Sequence, residues 1–279
     1  MENLGKVWDY RDVAAVPAAL APYVTELVAY ESDLGAPGMH RGLPTTSLTL
    51  VLPMGEPLDV GWADESQRQR RWSTVSGLHA APAAIHHDGV QRGVQVGLTT
   101  AGARALLGVP AAELAGELLE LEEVAPDLAD LPERLHDVSP DEGADEGSRA
   151  VVRALLGALS RHGEAAPRAE VGRALAGLTR GERVADVADE VGYSRRRLST
   201  LVREETGLAP KEYQRVARFQ ASRALMGRAP LAEVAAVCGY ADQGHLAREW
   251  SDLAGCAPST WLREEFPFLR DLEPASAAS

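Results

Sequence analysis

Two short clusters in the last third of the chain carry side chains able to read the edges of nucleic-acid bases. The first comprises Ser194, Arg195, Arg196, Ser199, Thr200 and Arg203; the second comprises Gln243, Gly244, His245 and Arg248. Arginine and glutamine make paired hydrogen bonds to guanine and adenine edges in the major groove. Arginines and hydroxyls at the margin of such a cluster serve phosphates instead. This chemistry is recognition rather than bond breaking, and it depends on elements that present one face of each cluster outward.

Those elements are legible because the pattern occurs twice. VADVADEVGYSRRRLSTLVREETGLAPKEY (184–213) is repeated as LAEVAAVCGYADQGHLAREWSDLAGCAPSTW (231–261), with an offset of 47 up to the glycine and 48 beyond it. In each copy apolar residues fall at i, i+3, i+4 and i+7: Val184, Val187, Ala188 and Val191, then Leu231, Val234, Ala235 and Cys238. That spacing predicts an amphipathic helix. Gly192 and Gly239 supply the position without a Cβ at which a helix stops and the chain turns. Ser194 and Asp242 are good N-caps for a second helix, whose buried side is Leu198, Leu201 and Val202 in one copy and Leu246, Trp250 and Leu253 in the other. The expected unit is helix, tight turn, helix, twice.

At about 100° per residue, those apolar sides leave Arg196, Thr200 and Arg203, and then Gly244, Arg248 and Ser251, on the outer faces. Between the copies, Pro210 to Met226 keeps one helical stripe and predicts a rod of roughly 26 Å. Major-groove faces recur every ~34 Å, so one chain can place both second helices on the same side of a duplex.

From about Val171 to Arg263 the sequence resembles the DNA-binding domain of AraC-family (AraC/XylS) transcription regulators. The resemblance rests on GYSRRRLSTLVREETGLAPKEYQRVARFQAS and on LAEVAAVCGYADQGHLAREW followed by GCAPSTWLR. It implies base contacts from Arg195, Arg196, Ser199 and Thr200, and from Gln243, Gly244, His245 and Arg248. Two departures stand out: Trp250 and Trp261 replace smaller aromatics, and Gly244 offers no side chain for reading. A glycine-turn hairpin taken alone is as often a packing unit, and an arginine run is usually a solvated face; two copies in this order favour DNA. A helical repeat that binds protein instead would leave DNA affinity unchanged in Arg196→Ala and Arg248→Ala.

The chain has 279 residues, 45% of them hydrophobic, and a formal net charge of −13. Length and hydrophobic content suit two domains with buried cores. The acidity is unevenly placed: residues 168–270 hold 16 Lys/Arg against 14 Asp/Glu, which leaves −15 for the remainder. An acidic partner domain should depress nonspecific phosphate binding. With only Cys238 and Cys256, neither a disulfide framework nor a four-cysteine zinc site is available. The N-terminal sequence has no apolar signal core and no run of ~18 apolar residues occurs, so the expected location is cytoplasmic.

Upstream, runs rich in β-formers at 26–30, 47–52, 58–62, 71–78, 83–87 and 93–99 are separated by Gly/Pro turns and predict a sandwich or barrel. Helices are expected at 100–107, 110–120, 126–136 and 148–162, with the acidic VSPDEGADEGS (138–148) as a linker. The predicted fold class is α+β in two domains: a β-rich N-terminal domain (1–137), a linker with connecting helix (138–166), an all-α domain with two helix-turn-helix motifs (167–270), and a disordered tail (271–279). In the family resembled, the N-terminal domain is commonly a cupin-like barrel that binds an effector or mediates dimerisation. His40, Arg41, His79 and His86 border expected strands or turns and are the candidate effector-binding residues. The H-x-H pattern of metal-binding cupins is missing, so no metal or other cofactor is expected. Trp8, Trp62 and Trp72 are expected in core packing.

No G-x-S-x-G, H-E-x-x-H, G-x-x-x-x-G-K-[ST] or G-x-G-x-x-G occurs. The sequence therefore reads as a regulator of transcription rather than an enzyme. The expected partners are double-stranded DNA, RNA polymerase, a small-molecule effector and a second copy of the chain, with no membrane. The alternative is a β-barrel enzyme fused to a helical DNA-binding or protein-interaction module.

Overall fold

The computed structural model describes residues 16–138, 143–162 and 169–264. Trp8 and the 271–279 tail lie outside the described residues. The N-terminal half consists of β1 (Val24–Asp33), β2 (Gly38–Gly42), β3 (Leu48–Pro53), β4 (Leu58–Trp62), β5 (Gln69–Arg71), β6 (Thr74–Ser76), β7 (Ala83–His87), β8 (Val90–Leu98) and β9 (Leu118–Leu119). They form two antiparallel sheets, ordered β1-β8-β3-β6-β9 and β2-β7-β4-β5. Alternation gives the larger sheet two unlike faces. Leu48, Leu50, Leu52, Val94, Val96 and Leu98 point away from the smaller sheet and are completely buried. They pack under α1 (Thr100–Gly102), α2 (Leu121–Val124), α3 (Leu131–His136) and α4 (Gly143–His162). The opposite face, with Val51 and Leu118, meets Leu58, Val60 and Ala83 of the smaller sheet.

Several elements differ from the sequence expectation for identifiable reasons. The strand expected at 71–78 is broken at Trp72 and Ser73, where the chain passes from the smaller sheet to the larger. Trp72 is 40% exposed and stands edge-on to His136 at 5.0 Å, so it is not a core residue. The helix expected at 110–120 is a 3-10 turn, Ala111–Leu114, followed by β9. Gly116 between them has φ +76°, outside the helical range. The supposed linker is in part helical, since α4 begins at Gly143. A Cβ on Gly147 would lie 2.8 Å from Met54 Sδ, so glycine there allows the helix to approach β3 and β8. Helix α4, left without an assigned partner by its sequence, packs on β1, β8 and α3 through Val151, Leu155 and Ala158.

The C-terminal half is wholly helical: α5 (Ala169–Thr179), α6 (Val184–Glu190), α7 (Arg195–Thr206), α8 (Pro210–Leu225), α9 (Leu231–Val237), α10 (Gln243–Ala254) and α11 (Pro258–Glu264). The molecule is thus α+β, with a β-rich N-terminal domain and a helical C-terminal one. Thr46 donates to Gln220 Oε1 on α8 from its backbone amide (2.9 Å) and its hydroxyl (3.0 Å). Arg41 pairs with Glu264 of α11 at 3.0 Å, and Arg104 with Glu205 of α7 at 3.6 Å. No helix among the described residues is long and apolar enough to cross a membrane.

Candidate nucleic-acid interface

The two repeats fold alike down to single hydrogen bonds. After α6 the amide of Tyr193 donates to Ala188 O, and after α9 the amide of Tyr240 donates to Ala235 O, both at 2.8 Å. Gly192 and Gly239 share φ +74°, a left-handed conformation that a residue with a Cβ adopts only at a cost. Ser194 Oγ then accepts from the amide of Arg197 (3.2 Å), and Asp242 Oδ1 from that of His245 (2.6 Å). Each cap satisfies one of the amides that a helix start leaves without an intrahelical partner. Both second helices end on a left-handed glycine, Gly207 (φ +78°) and Gly255 (φ +70°).

The apolar sides are anchored as their spacing implies. Leu198, Leu201 and Val202 are buried in α7, and Leu246, Trp250 and Leu253 in α10. Trp250 lies against Phe219 (4.8 Å) and Trp261 (5.3 Å), and its Nε1 donates to Ser222 Oγ at 2.9 Å. Consequently Arg195, Arg196, Arg197, Thr200 and Arg203 are exposed along α7, with Ser199 half-buried; Gln243, Gly244 and Arg248 are exposed along α10. The Thr200 hydroxyl donates to Arg196 O, which leaves its lone pairs outward as acceptors.

His245 is differently engaged. Its Nδ1 accepts from the amide of Ala241 (3.2 Å), its ring stands edge-on to Tyr240 (5.4 Å), and Nε2 lies 3.5 Å from Glu249 Oε1. Glu249 also accepts from Arg218 of α8 at 2.6 Å, and the Arg218 guanidinium lies 4.7 Å above the Tyr240 ring. Arg215 of α8 reaches Asp252 at 2.5 Å. This seam escaped the sequence reading; the i, i+4 pair His245/Glu249 and the i, i+3 pair Arg215/Arg218 were its available signals.

The four effector candidates are not brought together. His40 faces the space between the sheets, 5.8 Å from His87; burial, aided by the neighbouring His87 and His86, lowers its pKa to about 3. Arg41 and His86 are on the outer face of the smaller sheet, where Arg41 meets Glu264 and His86 Nε2 lies 3.5 Å from Glu65. His79 donates to Ala81 O and stands edge-on to half-buried Trp62 at 4.8 Å; burial lowers its pKa. Among the described residues no group of three or more His, Cys, Asp or Glu could hold a metal ion.

A helical domain that presents two capped, solvent-facing second helices in one frame defines the class of double helix-turn-helix domains. Residues 173–264 match the family model described as a helix-turn-helix domain, and this region is a helix-turn-helix domain of the AraC type. Solved structures of ToxT from Vibrio cholerae are similar over both domains. One has 14% identity and a TM-score of 0.50 over 85% of this chain and 97% of that one. Another, of wild-type ToxT with bound unsaturated fatty acid, has 12% identity and a TM-score of 0.50 over 90% of this chain and 96% of that one. The C-terminal domain of AraT, a response regulator from Geobacillus stearothermophilus, is 18% identical with a TM-score of 0.32, over 40% of this chain and 93% of that domain. No curated protein matched the sequence.

Proposed function

We propose that the protein is a sequence-specific transcription regulator whose α7 and α10 enter two adjacent major grooves of one duplex. The observation that carries this reading is the repeated frame itself. Two second helices share turn, cap and buried side, point their uncovered faces outward, and are joined by the 16-residue α8, a rod of roughly 24 Å. Groove-facing roles fall to Arg196, Thr200, Arg203, Gln243 and Arg248, flanked by Ser194, Arg195, Ser199 and Gly244. His245 supports the second turn as well as facing the groove.

In this reading the β-rich domain receives a small effector and biases DNA reading through its contacts with α7, α8 and α11; a ToxT structure with bound unsaturated fatty acid supports effector binding by a chain of this two-domain fold. Coupling requires an effector that binds two states unequally. Residues 1–137 are the sensor and 167–270 the reader; α4, though it falls in the connecting region, is packed on the sensor. The protein acts in the cytoplasm as a homodimer that engages RNA polymerase, and it is not an enzyme.

The test is selection of genomic DNA fragments by the purified protein, in parallel with the Arg196→Ala/Arg248→Ala double variant. Two short boxes about one helical turn apart, lost in the double variant, are the expected result. Equal enrichment by both proteins would refute the reading.

A further inference from the structure

The space between the two sheets is lined in a way that hydrophobic packing does not explain. Arg71 lies opposite Leu58 in the smaller sheet, and Thr74 lies opposite Val51 in the larger. Leu58 and Val51 face each other across the inter-sheet space, so the alternation of the strands turns Arg71 and Thr74 into that space as well. His87 follows on the same side, two residues beyond Ile85.

Arg71 is 4% exposed and Thr74 3%. Among the described residues, no carboxylate pairs with this guanidinium. Nη2 donates to Gln67 O at 3.4 Å, and the Gln69 carboxamide, turned with its oxygen toward Arg71, accepts from Nη1 at 2.9 Å. Both partners are neutral. Arg71 Nε, Thr74 Oγ1 and His87 Nδ1 are buried without any hydrogen-bond partner. A buried charge ordinarily takes an opposite charge with it, and buried polar atoms ordinarily find partners. Here one cation, one hydroxyl and one imidazole nitrogen lack them along the same space. Val51, Trp62, Ile85 and His87 are only half-buried although they face the opposite sheet, so the sheets are not fully closed against each other there.

We infer that this inter-sheet space binds a small hydroxylated carboxylate, with Arg71 as the counter-charge. The inference rests on the effector-binding reading of the N-terminal domain and specifies the ligand's chemistry. The carboxylate meets the Arg71 guanidinium, and ligand hydroxyls meet Thr74 Oγ1 and His87 Nδ1. Arg71 and Thr74 are three residues apart, so their Cα atoms are separated by at most about 10 Å. Strands β5 and β7 are separated only by β4, which puts the backbones bearing Arg71 and His87 roughly 10 Å apart. A molecule that bridges those positions has about five or six carbons, the size of a sugar acid. A long alkyl chain would leave the hydroxyl and imidazole without partners.

The experiment is titration calorimetry and thermal melting of the full chain with gluconate and with sorbitol, its neutral six-carbon counterpart. Lactate with propane-1,2-diol forms a shorter pair. Each ligand is tested at up to millimolar concentration on the wild type, on Arg71→Met and on Thr74→Val. The expected result is that at least one acid binds about tenfold tighter than its neutral partner and raises the melting temperature. Arg71→Met erases that preference while melting, without ligand, no lower than the wild type, because an unpaired buried cation has been removed. Thr74→Val weakens the acid and keeps its preference over the alcohol. Equal binding of acid and alcohol, or of the acid to wild type and Arg71→Met, overturns the anion assignment and leaves effector binding standing. If no acid and no alcohol binds, the inference fails; if Arg71→Met then also melts well below the wild type, Arg71 is a structural closure at the end of β5. Binding of an effector of other chemistry is left standing.

Discussion

The two helix-turn-helix units share a backbone and differ in almost everything attached to it. At the offset of 48, Arg196 corresponds to Gly244, Thr200 to Arg248, Leu201 to Glu249 and Val202 to Trp250. The first unit therefore carries a row of exposed arginines over a small apolar seam. The second carries a sparser exposed face over a tryptophan core, and has an ionic seam where the first has Leu201. Their surroundings differ too. The end of α7 leans on the N-terminal domain: Gly207 leaves no room for a Cβ beside Ala115, and Glu205 meets Arg104. Helix α10 also nears that domain at its C-cap, where a Cβ on Gly255 would lie 3.2 Å from Pro82 Cγ, but it is tied chiefly to α8, through Arg218 with Glu249 and Arg215 with Asp252. One frame thus carries two unlike outer faces: a row of arginines on a unit packed on the N-terminal domain, and a sparser face on a unit braced by its own connecting helix.

The core difference predicts the largest effect. Trp250→Ala should cost about 3–5 kcal/mol of unfolding free energy, since it removes a completely buried ring that touches Phe219 and Trp261. The corresponding change in the first unit, Val202→Ala, should cost only about 2 kcal/mol. Urea denaturation compares the two, and equal losses would mean that the second core is no better filled than the first. The ionic seam comes next. Glu249 is 12% exposed and serves Arg218, Arg215 and His245 together. Glu249→Gln should therefore lower stability by about 2 kcal/mol and loosen base preference in the second DNA box while sparing the first. Loss of preference in both boxes would show that α10 does not orient independently.

The reading faces give a third effect. Arg196→Ala should cost about 1–3 kcal/mol on a cognate site and relax preference at one base step. An equal loss on random DNA would make Arg196 a phosphate contact, and the contrast with Gly244 would then lose its meaning for specificity.

How much of this was legible in the sequence follows the strength of local constraint. Strands 58–62 and 83–87 coincide with β4 and β7 because short alternating runs are bounded by turn residues. Both HTH turns, caps and buried faces were readable because each rests on a residue with one dominant local use. Strand β2, Gly38–Gly42, was not: GMHRG has no β-branched residue, and only pairing with β7 makes it a strand. The polarity of the inter-sheet space was equally hidden. Arg71 lay in a run read as one strand, and its inward direction depends on a register with Leu58 that only the folded chain sets. The seam around Glu249 joins residues 31 positions apart, Arg218 and Glu249, a pairing that the local i, i+3 and i, i+4 spacings do not reveal.

The smallest effect sharpens the contrast most directly, because it fills the vacancy on the second reader. Gly244 lies in the first turn of α10 and its φ is outside the left-handed range, so alanine meets no backbone strain. A Cβ would lie 3.4 Å from Arg248 Nη1, the mobile end of a long side chain, and 3.2 Å from Asp242 Oδ1. The second contact decides the sign, because that oxygen is the N-cap acceptor. Its bond to the His245 amide is short, at 2.6 Å, and can lengthen by a few tenths of an ångström within ordinary hydrogen-bond range. The cap therefore survives, and Gly244→Ala should gain about 0.5 kcal/mol from the backbone entropy that glycine loses on folding. Affinity should hold on most DNA sites and rise where a thymine methyl faces the new Cβ. A fall in stability instead would show that Asp242 has no slack, and that glycine stands at this position for the cap rather than for the groove.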